Sequence, residues 1–266
     1  MISQYNLYHT HGMITRLGAQ IGALSSYNTR NTRRRLDELL GQEMIDEIMA
    51  YQVSLNPLKP NMVLIFDTET TGLLPKNMPS NLWSLSPEEL EKYPYITQLS
   101  AVMYDTYNCK VEQVFNTYIR IPDHVIIPDI VTEITGITRE KCNGGMDIKD
   151  ALKQFNKMWS TCDAIVAHNM WFDSKMMKIE YKRNQIYCNM FKDYEKMHCT
   201  MIRGMRHIGA NRFVKLSYLY ENLFGPLPNV QLHNSLVDTM VCLRCYLKIY
   251  CDKDISNKAF LRMVHV

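Results

Sequence analysis

The sequence predicts an α/β domain in which helices flank a mixed sheet, preceded by an N-terminal helical extension. Three observations predict it. Short apolar runs from Met62 to Phe66 and from Ala164 to Ala167 have the length of buried strands. Two further runs, Thr97 to Tyr104 and Val114 to Ile121, lie either side of the turn candidate Asn108 and read as a hairpin. Helical spacing then recurs from Phe172 to Arg183, from Lys215 to Leu223 and from Asn234 to Tyr250. Strands in succession, followed by helices alternating with strands, give a mixed sheet with helical layers.

Taken in order, residues 1 to 60 read as an extension. Met1 to Ser26 has no clear period. A basic cluster, Arg30 with Arg33, Arg34 and Arg35, leads into helical spacing of Leu36, Leu39, Leu40, Met44, Ile48 and Met49. That helix would pack on the main domain or serve as an arm for a partner or nucleic acid. Asn56-Pro57-Leu58-Lys59-Pro60 marks a boundary. Residues 61 to 250 form the main domain, and residues 251 to 266 are assigned to a C-terminal tail. Within the domain, Leu74 to Pro94 reads as a loop with a short helix at Ser86-Pro87-Glu88-Glu89. Thr138 to Cys142 and Ile148 to Trp159 read as helices.

The chain has 266 residues and is 46% hydrophobic, enough for a sizeable core. Its 30 basic and 27 acidic residues leave a formal charge of only +3, so any basic footprint must be local. No apolar run reaches membrane-spanning length, and the N-terminus lacks a secretory pattern. The eight cysteines therefore read as reduced thiols of a cytosolic or nuclear protein.

Three segments carry chemistry. Asp67 and Glu69 follow the first apolar run, in Phe66-Asp67-Thr68-Glu69-Thr70-Thr71-Gly72. Residues two apart share one face of an extended chain, so both carboxylates point the same way. Such a pair is costly unless a cation joins it, and oxygen ligands suit magnesium or manganese. Asp173 stands near a helix start in Ala167-His168-Asn169-Met170-Trp171-Phe172-Asp173, where, taken alone, it reads as a favourable N-terminal charge. His233 precedes Asp238 by five residues at the opening of another helix, which Asn234 or Ser235 would cap.

Together these segments resemble the DEDD exonuclease superfamily in its DEDDh branch, which includes the proofreading subunit of bacterial replicative polymerases. Thr132-Glu133-Ile134-Thr135-Gly136-Ile137-Thr138 resembles the family's turn before a helix. Lys215-Leu216-Ser217-Tyr218-Leu219 resembles the helix opening that precedes its last motif. The match covers about residues 62 to 250. It implies a ribonuclease-H-like fold and a metal-dependent 3′→5′ exonuclease releasing nucleoside monophosphates. Asp67, Glu69, Asp173 and Asp238 would hold two Mg²⁺ or Mn²⁺, with His233 as general base. Thr68, Thr70, Gly72, Asn169 and Phe172 would line the terminal-nucleotide pocket, with Leu73 beside them. Lys175, Lys178, Lys182, Arg183, Arg203, Arg206, Arg212 and Lys215 are candidates for a basic track, or for solvated surface.

The expected partner is a nucleic acid 3′ end, with a separate polymerase or other protein engaging the N-terminal extension and no membrane. DNA proofreading or repair is the leading reading. RNA 3′-end trimming and an inactive nucleic-acid-binding module are the alternatives. Two features depart from the family: the longer Leu74–Pro94 stretch, and Cys199-Thr200 in place of Asp-Thr. Cys242 and Cys245 lie within a helical pattern without a second ligand pair, and His9-Thr10-His11 is isolated, so neither reads as a zinc site.

Overall fold

Val63, Leu64, Ile65 and Phe66 are fully buried. An unbroken apolar run of this kind marks a strand covered on both faces, and β1 (Met62–Thr70) is the central strand of five. The computed structural model describes residues 60 to 264 except Ser80 and Asn189. The basic cluster, the amphipathic helix and Asn56 to Lys59 lie outside the described residues.

The sheet order is β3-β2-β1-β4-β5. β2 (Ile96–Asp105) runs antiparallel to β1, with Asp67 opposite Ser100 and Glu69 opposite Gln98. The hairpin expected around Asn108 is present, pairing β2 with β3 (Lys110–Tyr118). On the other side β4 (Ala164–Ala167) and the three-residue β5 (Met197–Cys199) are parallel to β1. The sheet is therefore mixed.

Between β1 and β2 the chain makes a long excursion, with a single 3₁₀ turn (Leu82–Ser84) and α1 (Pro87–Leu90). Ser86 and Glu89 form a reciprocal capping box on α1. The excursion is closed at its base. Thr71 donates its N–H to Tyr95 O at 2.9 Å, and Tyr95 N–H donates to Thr71 Oγ1 at 3.0 Å.

After β3 come α2 (Asp129–Thr135), α3 (Arg139–Asn143) and α4 (Ile148–Trp159). The stretch read as a turn before a helix is the end of one helix and the start of the next. Gly136 closes α2 at φ 68°, where glycine is at no disadvantage, and Thr138 caps α3. On α4, Ala151, Leu152, Phe155 and Met158 are buried, and Phe155 packs edge-on against Phe66 with ring centroids 5.2 Å apart. α5 (Met170–Arg183) follows β4, and α6 (Thr200–His207) follows β5. α7 is Leu216–Phe224 and α8 is Ser235–Tyr246.

Residues Thr239 to Tyr246 of α8 are all buried, so this helix is surrounded and shows no one-sided stripe. The α-helix stops at Tyr246 rather than Tyr250. A π-helical turn, Leu247–Cys251, completes it and ends at Asp252 with φ 53°. The segment read as a C-terminal tail carries α9 (Asn257–Val264), whose Phe260 is buried in the core with Tyr220 and Tyr246. Arg244, also buried, holds the approach to α9 by donating to Asp254 Oδ1 at 3.0 Å while its guanidinium lies 4.2 Å from the Phe224 ring centre. All eight cysteines are free. Among the described residues no helix is long and apolar enough to cross a membrane.

Candidate active site

Asp67 and Glu69 stand inside β1, not after it: the strand continues to Thr70. The pleat sends both side chains to the face covered by α8, and Thr68 and Thr70 to the opposite one. Asp173 lies in the first turn of α5 and is 3% exposed. It is fixed from β1, because Thr68 donates both its N–H (3.1 Å) and its hydroxyl (2.8 Å) to Asp173 Oδ1. Asp238 lies in the first turn of α8. Ser235, at the same helix end, donates its hydroxyl to the Asp67 carbonyl at 2.9 Å, which ties α8 to β1.

His233 is exposed and has φ 62°, an uncommon conformation for a residue with a side chain. Its N–H donates to Asp238 Oδ2 at 3.0 Å, which holds the backbone there. One ligand atom each from Glu69, His233 and Asp238 can be chosen so that all lie within 4.8 Å of one another.

Burial and mutual repulsion keep these acids from ionising as free carboxylates do. Asp67 is pushed well above the usual range, first by burial and then by Asp173, Asp238 and Glu69. Glu69 is pushed up to about 8 by burial, then by Asp238 and Asp173. Burial raises Asp173 to about 7 against the hydrogen bonds from Thr68, and Asp238 to about 7 against the His233 N–H. Carboxyl oxygens gathered at this density, beside an imidazole, are a donor set that fits a hard divalent cation, whose charge would favour their ionised form.

The remaining expected residues fall as follows. Thr68 is committed to Asp173, and the Thr70 hydroxyl donates to Gly72 O at 2.7 Å. Gly72 does not adopt a left-handed φ, and an added Cβ would meet no atom within 4 Å, so the fold itself does not require glycine there. Asn169 caps α5 at φ 70°, and Phe172 is half-buried three residues on. Leu73 is 86% exposed. Two members of the basic track are structural instead. Lys175 is buried. Arg183 is sequestered, pairing with Glu180 at 2.5 Å, donating to the carbonyls of Leu90 and Tyr93, and lying 3.6 Å from the Tyr95 ring centre. Arg203, Arg206, Arg212 and Lys215 are exposed. Cys242 and Cys245 are buried on α8, and among the described residues only Glu69, His233 and Asp238 form a three-ligand group.

Two supports of the site were not read from the sequence. His168 lies between Thr200 Oγ1 (3.0 Å) and the Val214 carbonyl (2.9 Å), and burial lowers it to about 4, so it is a neutral brace. Gln98, buried on β2, accepts the Ser235 N–H at 3.2 Å. Its signal was a glutamine inside a mostly apolar strand, beside Thr97 and Ser100.

The exonuclease family model RNase_T matches residues 64–246. The chain belongs to this exonuclease family, with a ribonuclease-H-like fold. Among curated proteins, ERI1 exoribonuclease 2 of Xenopus laevis is 36% identical over 61 residues, 23% of this chain and 9% of that protein. The PolC-type DNA polymerase III of Bacillus subtilis (strain 168) is 26% identical over 136 residues, 51% of this chain and 8% of that protein. The chain thus spans under a tenth of the length of either relative. The nuclease domain of 3′hExo, a DEDDh family member bound to rAMP, shares the fold at a TM-score of 0.54 and 15% identity, covering 74% of this chain and 95% of that one.

Proposed function

We propose that this protein removes nucleotides one at a time from nucleic acid 3′ ends and releases nucleoside monophosphates. The observation that carries the reading is the meeting of Asp67, Glu69, Asp173 and Asp238, drawn from β1, α5 and α8: burial suppresses the acidity of all four, and neighbouring carboxylates add to it for Asp67, Glu69 and Asp173. These four would hold two Mg²⁺ or Mn²⁺. When bound, the ions would offset the phosphate charge and make the attacking water more acidic.

The chain's own side chains do the rest. His233, exposed beside Glu69 and Asp238, takes the proton from the attacking water. Thr68 keeps the Asp173 carboxylate turned toward β1. Phe172 and Leu73 offer apolar surface to the terminal sugar and base, a sequence-tolerant contact. The open space beside Gly72 would let the strand of nucleic acid approach the backbone, and by the family resemblance Thr70 and Asn169 would line the same pocket.

DNA is the substrate assigned first. Thr70-Thr71-Gly72 resembles polymerase-associated members, and the PolC match extends over 136 residues. RNA 3′-end trimming is the second reading, favoured by the 36% identity to an exoribonuclease over 61 residues. The test uses 5′-labelled single-stranded DNA, duplex DNA and RNA of one sequence, with Mg²⁺ or with EDTA. Single-nucleotide shortening with Mg²⁺ and none with EDTA is expected, and the ratio of kcat/KM on DNA and RNA decides the polymer. Internal cleavage, or no shortening of any substrate, overturns the reading.

A further inference from the structure

We infer that Gln98 is a positioning residue of this site: from β2 it holds the N-terminus of α8, and with it Asp238 and His233, against β1. The inference rests on the exonuclease reading above.

A helix leaves its first N–H groups without intrahelical partners. In α8 the cap residue Asn234 serves two of them, accepting from Leu236 N–H at 3.1 Å and Val237 N–H at 3.5 Å. The Ser235 N–H is served by a different strand, through Gln98 Oε1 at 3.2 Å. That N–H can only donate, so it fixes which end of the Gln98 amide faces it. The amide nitrogen then donates to Asn116 Oδ1 at 2.9 Å and reaches Asn234 Oδ1 at 3.5 Å. Ser100 donates to the same Asn116 oxygen at 2.8 Å. A polar ladder thus runs from β3 through β2 to the helix cap.

Gln98 is 1% exposed, among the buried Ile96, Leu99, Ala101 and Val102. Packing alone would favour an apolar side chain there, since a buried amide costs stability unless its groups are paired. A side chain that accepts at one end and donates at the other matches this place. Its position links it to the chemistry: it lies directly across the strand pair from Glu69, while the helix end it holds carries Asp238 and follows His233. Losing the clasp frees one cation-binding element relative to the other. Outer-shell partners of metal ligands typically contribute 10- to 100-fold in affinity or activity.

The experiment compares wild type, Gln98→Met and, as a stability control, Leu152→Ala on α4. Readouts are kcat and KM on the preferred oligonucleotide, Mn²⁺ half-saturation by calorimetry without substrate, and hydrogen exchange at the Ser235 amide. Gln98→Met is expected to lower kcat and weaken Mn²⁺ binding by about 10- to 100-fold with KM little changed. Its Ser235 amide should exchange faster. Leu152→Ala should lose thermal stability and leave all three readouts near wild type. Gln98→Met with kcat and Mn²⁺ binding at wild-type levels overturns the inference, as does an equal loss in Leu152→Ala. If Gln98→Met does not fold, Gln98→Glu decides. It keeps the acceptor, so Ser235 should stay protected and Mn²⁺ should bind at least as well as in wild type. Deprotection or weaker binding in that variant overturns the inference. An inactive wild type would instead overturn the exonuclease reading.

Discussion

Thr68 gives both of its hydrogen-bond donors to a single oxygen of Asp173, which fastens the start of α5 to the strand carrying Asp67 and Glu69. Thr68→Val removes the hydroxyl and keeps the shape. Its kcat is expected to fall by about 10- to 100-fold, as for other outer-shell partners. Thr68→Ser, which keeps the donor, should recover most of the rate. Steady-state kinetics of the two variants check this; a Val variant as fast as wild type would show that the bond does not orient Asp173.

Without metal, the carboxylate cluster should make stability fall as pH rises. Glu69, Asp173 and Asp238 have ordinary values of 4.5, 3.8 and 3.8, which the fold raises to about 8, 7 and 7. Between about pH 5 and 8 the folded form therefore holds protons that the unfolded form has released, and each proton lost costs stability. Melting in EDTA should show Tm decreasing across that window. Saturating Mn²⁺ should raise Tm most at the upper end, where the acids are ready to bind it. A Tm that climbs with pH in EDTA would contradict the electrostatic picture.

Asp238→Ala should abolish measurable turnover, a loss exceeding the roughly 100-fold typical of outer-shell changes. Removing one of four crowded acids relieves repulsion, so its metal-free Tm at pH 8 is expected to match or exceed that of wild type. Calorimetry and a nuclease assay on one preparation give both numbers. Near-normal activity would remove Asp238 from the chemistry.

His233→Ala should reduce single-turnover rates by about 10²- to 10⁴-fold, the usual contribution of a positioned proton acceptor. Oligonucleotide and Mn²⁺ binding should persist, because the carboxylates and pocket remain. With metal held saturating, the shape of the pH–rate profile should change as well as its height. An undiminished rate would reduce His233 to a structural turn.

Gly145→Ala tests the scaffold separately from the site. Its Cβ would lie 2.5 Å from the Tyr118 carbonyl oxygen and 2.9 Å from Ile119 N, both backbone atoms. A loss of about 1–3 kcal/mol is expected, as for other overpacked positions, with activity per folded molecule retained. Chemical denaturation measures the loss; unchanged stability would mean that the β3 exit can give way.

β1 and β4 were legible because each holds a short apolar run, Met62–Phe66 and Ala164–Ala167, and the β2–β3 hairpin was legible from the turn at Asn108. β5 was not, since three residues carry no period, and α6 directly after it went unread with it. The end of α8 was misplaced because the apolar pattern continues unbroken into the π-helical turn. Asp67 and Glu69 were read as a pair from their two-residue spacing, whereas Asp173 and Asp238 were singled out only through the family resemblance. Their supports were not: the Gln98–Ser235 bond joins residues far apart in the chain, and no local pattern announces such a pair. Arg183 misled for a related reason, because a guanidinium clasping carbonyls in the interior has the same one-letter code as one on the surface.

That clasp has a bearing on how this protein can vary. Arg183 and the Thr71–Tyr95 pair pin both ends of the β1–β2 excursion, so the ring of chain is already closed before its tip is reached. Doubling the length of a closed loop adds only about 0.6 kcal/mol of closure entropy. The tip is thereby insulated from β1 and offers a graft point. A peptide epitope or reporter inserted near Asn77, on the exposed side of the ring, should be carried without disturbing the geometry a few residues upstream.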